Sequence, residues 1–374
     1  MNKEYTSLGF MSGTSGDGVD ASIISSDGNT KYEVIKDQYF EYESDVYKKI
    51  HNIKRQINSI YELEKFQKDL NDLENKITLF HAKIGKEIIK DRKVDIIGFH
   101  GQTIYHNPKE KISLQLGNGK LLFQLSKKKI VFNFRKNDIQ NGGEGAPLTP
   151  IFHRHLIQSK KIDLPVCILN IGGISNLTII ENTDYQGVSS QDVGPGNCLI
   201  NSWIQAHTNQ KFDINGKISN SGKINEIILE QALEIHENNF QKKNNISLDT
   251  NDFDISFARG LNLEDGAATL IAFTAKIITA NINYLLKRFN KKGIKIILCG
   301  GGRKNISLIK QIQHYSEKNL SFHKSEDYDL NGDFIESQAF GYLSIRTFFK
   351  LPISFPSTTR CKESISGGVV VKNF

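Results

Sequence analysis

Between two apolar runs near the start of the chain lie seven residues, Ser12 to Gly18 (SGTSGDG), that are all small or polar: three glycines, two serines, a threonine and an aspartate. A tight hairpin needs about two residues at its turn. Glycine, without a Cβ, lets backbone N–H groups come close to phosphate oxygens, and Ser and Thr hydroxyls add donors. A strand-end loop of this make-up therefore suits an anionic ligand. Gly142 to Gly145, Gly172 to Gly173, Gly194 to Gly196 and Gly300 to Gly302 repeat the pattern. Each alone is more often a plain turn, but five in one chain point to phosphate. None is a GxxxxGK[ST] phosphate loop or a GxGxxG between strand and helix. The turn at Gly13 to Gly18 and the one at Gly172 to Gly173 instead suggest a cradle, one loop from each domain, closing on a nucleotide's phosphates.

Among the ionisable residues, Asp192 stands before the compact turn Gly194-Pro195-Gly196, where a carboxylate can act as a general base. The alternative is an Asx-turn aspartate capping the following helix, NCLINSWIQ. Glu336 opens the last helix, where an acidic side chain also favours the dipole. His100 and Gln102 sit on the tip of a strand, with a satisfied turn histidine as the plain alternative. Arg135, three residues before Asp138, reads equally as an internal ion pair or as a bidentate anchor for a ligand carboxylate. Cys167, Cys198, Cys299 and Cys361 are far apart, without a CxxC pair or Cys/His cluster, and read as buried, reduced thiols.

The elements that must position these residues follow from periodicity. From Ser59 to about Lys90, Phe66, Leu70, Leu73, Ile77, Phe80, Ile84 and Ile88 recur at helical spacing, with Ser59 and Glu62 as a capping box. Val94 to Thr103 and Lys128 to Arg135 read as strands. Pro165 to Asn182 reads as strand, turn and strand, repeating the opening pattern and suggesting an internal duplication. A helix from Asn262 to about Asn290 stops at Gly293, and a strand from Ile294 runs into the triple glycine. Helices follow from about Ile306 to Tyr315 and from near Ile335. At 374 residues the chain suggests two α/β domains with a cleft between them. The net charge of +7 comes from scattered, interleaved lysines, which suits an anionic small molecule better than nucleic acid. No stretch reaches the roughly 18 apolar residues of a membrane helix and no signal-peptide core is present, so the expectation is a cytoplasmic protein without membrane contact.

MSGTSGDGVD (Met11 to Asp20), HGQT (His100 to Thr103), NFRKNDIQNGGEGAPL (Asn133 to Leu148), NIGGISN (Asn170 to Asn176), DVGPGN (Asp192 to Asn197), CGGGRKN (Cys299 to Asn305) and GDFIESQAF (Gly332 to Phe340) occur in the order seen in anhydro-N-acetylmuramic acid kinases. The chain resembles that family from end to end, including STTRCKESISGG (Ser357 to Gly368), and through it the actin, Hsp70 and hexokinase superfamily. The resemblance implies a two-lobed, actin-like (ribonuclease H-like) α/β fold with duplicated mixed sheets, flanking helices and a central cleft. Domain I would take 1–145 plus roughly 345–374, and domain II 146–344. It also implies an ATP- and Mg2+-dependent enzyme of cell-wall recycling that opens the 1,6-anhydro ring of anhydro-N-acetylmuramic acid with water and phosphorylates O6.

Carried onto this sequence, Asp192 is the base, and Gly13, Thr14, Ser15, Gly16, Asp17, Gly18, Val19 and Asp20 form the first phosphate loop. Gly172 and Gly173 belong to the second loop, and Gly300, Gly301, Gly302 and Asn305 lie on the adenosine side. His100, Gln102, Arg135 and Glu336 would meet the sugar, and Asp17 or Asp20 would reach magnesium through water. Two residues depart from the family pattern: Gly16, where a large apolar residue is usual, which is expected to loosen the loop, and Val193, where threonine is common. The partners implied are the amino sugar and ATP; a homodimer is left open. An ordinary sugar kinase of the same superfamily and a non-enzymatic ATP-driven conformational protein are the rivals.

Overall fold

The computed structural model describes residues 3–240, 248–289 and 293–372. They pack as two compact units. The first is built from the chain up to Ile162, from Thr183–Ser189 and from Asp333 onward; the second from Asp163–Asn182 and Ser190–Gly332. These divisions differ from 145/146 and 344/345 because two helices pack together in the first unit. Phe152 and His155 of helix Pro150–Ser159 lie 5.4 and 5.0 Å, ring to ring, from Tyr342 of helix Ile335–Phe348.

In the first unit β1 (Tyr5–Ser12) pairs antiparallel with β2 (Gly18–Ser26), and β2 with β3 (Tyr32–Glu41). On its other side β1 runs parallel to β4 (Ile96–Asn107), which pairs with the short β5 (Ile112–Leu116) and runs parallel to β6 (Lys129–Phe132). The second unit repeats this plan. Its β7 (Val166–Ile171) pairs antiparallel with β8 (Ile174–Ile180), and β9 (Val188–Pro195) lies beyond β8. On the far side of β7, β10 (Ile294–Cys299) and β11 (Leu320–Lys324) run parallel to it. β12 (Val369–Val371) closes the edge of the first sheet against β6. The spatial orders β3-β2-β1-β4-β6 and β9-β8-β7-β10-β11 match position by position. The duplicated mixed sheet that the resemblance implied is therefore the architecture, with the internal duplication suggested by the two strand–turn–strand segments.

Each sheet is covered by helices whose apolar faces supply the core. Leu70, Leu73, Ile77, Ile84 and Ile88 pack against Leu8, Phe10, Ile97 and Phe99. The periodic stretch behind them is two helices, Ile60–Lys65 and Gln67–Ile89, with the break at Phe66. Ser59 makes no side-chain cap there, because its hydroxyl bonds the Glu62 carboxylate instead. β6 ends before Arg135 because Asn133 turns into the left-handed region at φ 54°. On the opposite face of the first sheet, Gly9 and Gly98 sit side by side on β1 and β4. A Cβ on Gly9 would lie 2.0 Å from the Ser337 carbonyl oxygen, and one on Gly98 2.3 Å from that of Phe340. The bare backbone is what lets helix Ile335–Phe348 lie directly on the sheet.

Helix Leu263–Leu286, with Asn262 as its side-chain cap, forms the core of the second unit. It is long and apolar enough to cross a membrane by length and composition, contrary to the expectation that no stretch is. Most of it is buried against Trp203, Ile171 and their neighbours. None of the four cysteines is in a disulfide; Cys198 is half-buried and the others are buried.

Candidate active site

The first loop joins β1 to β2 just beyond Ser12, the last β1 residue paired with β4, opposite Gln102. Gly16 N–H donates to the Gly13 carbonyl at 3.1 Å, closing a turn, and Gly16 has φ +60°, a conformation L residues rarely adopt. A Cβ there would lie 2.9 Å from Ile50 Cγ2. Glycine is thus the residue this turn fits, and the expected loosening gives way to a defined left-handed corner. Ser15 Oγ donates to Asp17 Oδ1 at 2.6 Å at the exposed tip. Gly18 and Val19 already belong to β2. Val19 is fully buried, so its side chain faces the core and not a ligand.

Gln102 braces this loop from β4. Its Nε2 donates to the Gly13 carbonyl at 3.0 Å, and its Oε1 lies 2.5 Å from Ser12 Oγ, which also accepts from the Tyr42 hydroxyl at 3.1 Å. Both ends of the amide therefore shape the loop. Burial, reinforced by the charges of nearby Asp17, Glu41 and Asp20, raises the pKa of the Tyr39 hydroxyl. Hard carboxylate oxygens of this kind fit Mg2+. No cluster of three His, Cys, Asp or Glu able to hold a metal directly is found among the described residues.

A second group in the same unit gathers around Arg135. Its Nε and Nη2 meet His100 Nε2 at 3.3 and 3.0 Å, and its Nη1 donates to the Gly145 carbonyl at 3.0 Å. His100 Nδ1 lies 2.8 Å from the Gly101 carbonyl. The ring is then the neutral Nδ1–H tautomer, donating to Gly101 and accepting from Arg135. Burial, reinforced by the Arg135 charge, holds its pKa well below the usual value. His100 thereby aims the guanidinium, and both of its ring nitrogens have protein partners. Asp138 does not serve as the arginine's partner in the way its spacing suggested. Its Oδ2 accepts from Gly145 N–H and its Oδ1 from the Thr359 hydroxyl, each at 2.6 Å, tying the Gly142 to Gly145 loop to the C-terminal segment. The acidic group that feels Arg135 is Glu336, whose carboxyl burial pushes up while the guanidinium opposes the shift. Structure thus brings His100, Arg135 and Glu336 together.

In the second unit the Gly172-Gly173 turn between β7 and β8 is held by the DVGPGN segment. Gly196 and Cys198 N–H donate to the Gly173 carbonyl at 2.9 and 3.2 Å, and Asn197 N–H to that of Gly172 at 2.7 Å. Gly196 has no room for a side chain, since a Cβ would sit 2.2 Å from the Gly172 oxygen. Asp192, on β9, accepts from Leu248 N–H at 2.8 Å through Oδ2. The helix Cys198–His207 begins at Asn197 without a side-chain cap, so Asp192 is not its capping residue. Val193 is fully buried in the apolar core, which accounts for an aliphatic side chain at that position.

On β10 the triple glycine turns sharply at Gly300, φ +76°, where a Cβ would lie 2.4 Å from Asn170 Oδ1. Gly301 is exposed, whereas Gly302 is packed under Ile171. Asn305 is buried, and its Oδ1 accepts from Leu308 N–H at 3.0 Å as the cap of helix Ile306–Tyr315. Its carbonyl oxygen serves the helix start. Arg303, absent from the sequence-based candidates, is what fixes this corner. It donates to the Gly300 carbonyl at 2.9 Å and pairs with Glu326, its Nε 3.0 Å from Oε1. An arginine directly after three glycines was the available signal. Lys54, on helix Ser44–Gln56, was also missed; it donates to the Thr14 carbonyl at 2.9 Å, and nothing in its own segment pointed to the loop.

The family model described as "Anhydro-N-acetylmuramic acid kinase" matches residues 5–373. The anhydro-N-acetylmuramic acid kinase of Pelagibacter ubique (strain HTCC1062) is 54% identical over 376 residues, covering 100% of both chains. That of Zymomonas mobilis is 35% identical, covering 96% of this chain and 98% of the relative. Among solved structures, Acidaminococcus fermentans (R)-2-hydroxyglutaryl-CoA dehydratase component A superposes with a TM-score of 0.43 at 12% identity, covering 92% of this chain and 100% of that one. A match along nearly the whole chain, together with two glycine-turned hairpins on duplicate sheets and an aspartate on the strand behind the second, leads to one conclusion: the chain belongs to the anhydro-N-acetylmuramic acid kinase family.

Proposed function

We propose that the chain opens the 1,6-anhydro ring of anhydro-N-acetylmuramic acid with water and transfers the γ-phosphoryl group of ATP to the freed O6, giving N-acetylmuramic acid 6-phosphate and ADP. Asp192 takes a proton from the water that attacks C1; the C1–O6 bond breaks, O6 attacks the γ-phosphorus, and the bond from the γ-phosphorus to the ADP oxygen breaks. The observation that carries this reading is Asp192 itself. Its carboxylate sits on a strand, with one oxygen fixed by Leu248 N–H, so it is pre-oriented for proton abstraction and is not taken up as a helix cap.

The remaining roles follow the chemistry of each cluster. Arg135, aimed by His100, offers a cation to the sugar's lactyl carboxylate. Glu336, its pKa raised by burial, stands beside it and bonds sugar hydroxyls. Gly13 to Asp17 and Gly172 to Gly173 supply backbone donors to phosphate, and Gly301 gives an open approach on the adenosine side. Asp17 and Asp20 would hold Mg2+ through water, an ion that neutralises phosphate charge when bound. We place the reaction in the cytoplasm, where ATP is available, in the recycling of cell-wall sugar.

Mass spectrometry of the purified protein with ATP, Mg2+ and the anhydro sugar tests the reading. A product heavier than the substrate by one water and one phosphoryl group is expected. A product heavier by a phosphoryl group alone, as an ordinary sugar kinase would give, or no ATP consumption, overturns it.

A further inference from the structure

Helix Ser44–Gln56 lies beneath the first loop and presents three residues to it. Lys54 Nζ donates to the Thr14 carbonyl at 2.9 Å. His51, partly buried, lies beside the Ser15 backbone; burial lowers its pKa and that backbone opposes the shift. Ile50, fully buried, sets the space beside Gly16. Positions 50, 51 and 54 share one helix face because residues three and four apart are neighbours there. One element therefore touches three consecutive residues of the loop.

From this contact we propose that Lys54 is a positioning residue for nucleotide binding, acting through the peptide plane of the first phosphate loop. In a trans peptide the C=O of one residue and the N–H of the next point in opposite directions. Lys54 draws the Thr14 carbonyl toward the helix, so the Ser15 N–H faces the other way, out of the loop. The neighbouring Gly16 N–H is already engaged by Gly13. Ser15 is therefore a principal donor at the exposed tip, and its direction depends on the carbonyl that Lys54 holds. An ammonium is well suited to hold it, being a donor with three hydrogens on a flexible stem, and its charge favours an anion close to the loop. Without it, the Thr14–Ser15 peptide is free to rotate and to present a carbonyl oxygen to the phosphate. The inference rests on the nucleotide reading of the loop and is independent of which sugar is phosphorylated.

Calorimetric titration of the full-length protein with a non-hydrolysable ATP analogue and Mg2+, without sugar, tests the inference. A bond to a charged donor is worth enough that Lys54→Met should weaken nucleotide binding roughly tenfold, while Lys54→Arg, which keeps charge and donor, should stay within about threefold of the parent. In turnover, KM for ATP should rise in Lys54→Met while KM for the sugar changes less than twofold, and the melting temperature without ligand should match the parent. Binding by Lys54→Met within twofold of the parent overturns the proposal. So does an equal loss in Lys54→Arg, or an equal rise in both KM values. A parent protein that binds nucleotide but leaves the anhydro sugar intact would count against the proposed reaction and not against Lys54.

Discussion

Replacing Gly16 with alanine puts a measurable strain on the first phosphate loop. The left-handed φ of +60° at Gly16 costs an L residue roughly 1 to 2 kcal/mol. The added Cβ would also stand 2.9 Å from Ile50 Cγ2, and Ile50 has no exposed surface into which to swing. Set against a total strain of about 2 kcal/mol is the backbone bond from Gly16 to Gly13, worth about 1 kcal/mol net. Strain wins, and the closed turn goes from favoured by about 1 kcal/mol to disfavoured by a similar amount. If nucleotide binds only the closed loop, its apparent affinity falls with the closed fraction, by about fivefold. Because the loop relieves the strain by opening, the melting temperature should hardly change. Asparagine tolerates the left-handed region but carries the same Cβ, so Gly16→Asn should fall between the two. The assay is KM for ATP under saturating sugar, together with a thermal melt. An alanine variant with unchanged KM and unchanged melting, or an asparagine variant worse than the alanine one, would refute the reasoning.

Two further predictions concern charge. Asp192→Asn should lower kcat by about 100-fold or more, as expected for removal of a general base, while ATP affinity stays within a few-fold; near-normal turnover would remove Asp192 from that role. Stability should fall on acidification, because burial keeps several histidines neutral. His81 and His155 are lowered from 6.5 to about 4, and His106 and His153 to about 3. The unfolded chain binds more protons than the fold below pH 6.5, so their contribution is complete above that value. It is lost as pH falls through 6.5 toward 4 and then 3, at up to about 1.4 kcal/mol per pH unit for each histidine. Denaturant melts from pH 7 to pH 4 that show no loss of stability would contradict this.

Much of the fold was legible because its signals are local. The two strand–turn–strand segments each carry two largely apolar runs separated by a glycine-rich polar turn, and helix Leu263–Leu286 carries an Asn262 cap and a long apolar face. The break at Phe66 was invisible because both helices keep the same three-and-four spacing across it. β3 and helix Ser44–Gln56 went unread: β3 is an edge strand with none of its residues buried, and so lacks a clean apolar pattern. In the site, the glycine loops could be read from residue type, whereas Asp192 stood out from a capping aspartate only through the family resemblance. Gln102, His100 and Asn305 look the same in sequence whether their polar atoms meet a ligand or the protein. Their partners, Gly13, Arg135 and Leu308, come from folding, and the first two are brought there from distant segments. Lys54 was hidden for the same reason, since 40 positions separate it from the carbonyl it holds.

The most direct test of the account follows oxygen. With ATP, Mg2+ and the anhydro sugar in 18O-labelled water, the account predicts one labelled oxygen at C1 of the sugar phosphate, read early and corrected with free N-acetylmuramic acid for spontaneous anomeric exchange, and none in the transferred phosphoryl group. Label in the phosphoryl group, or a phosphorylated sugar with no label at C1 beyond that exchange, would contradict it.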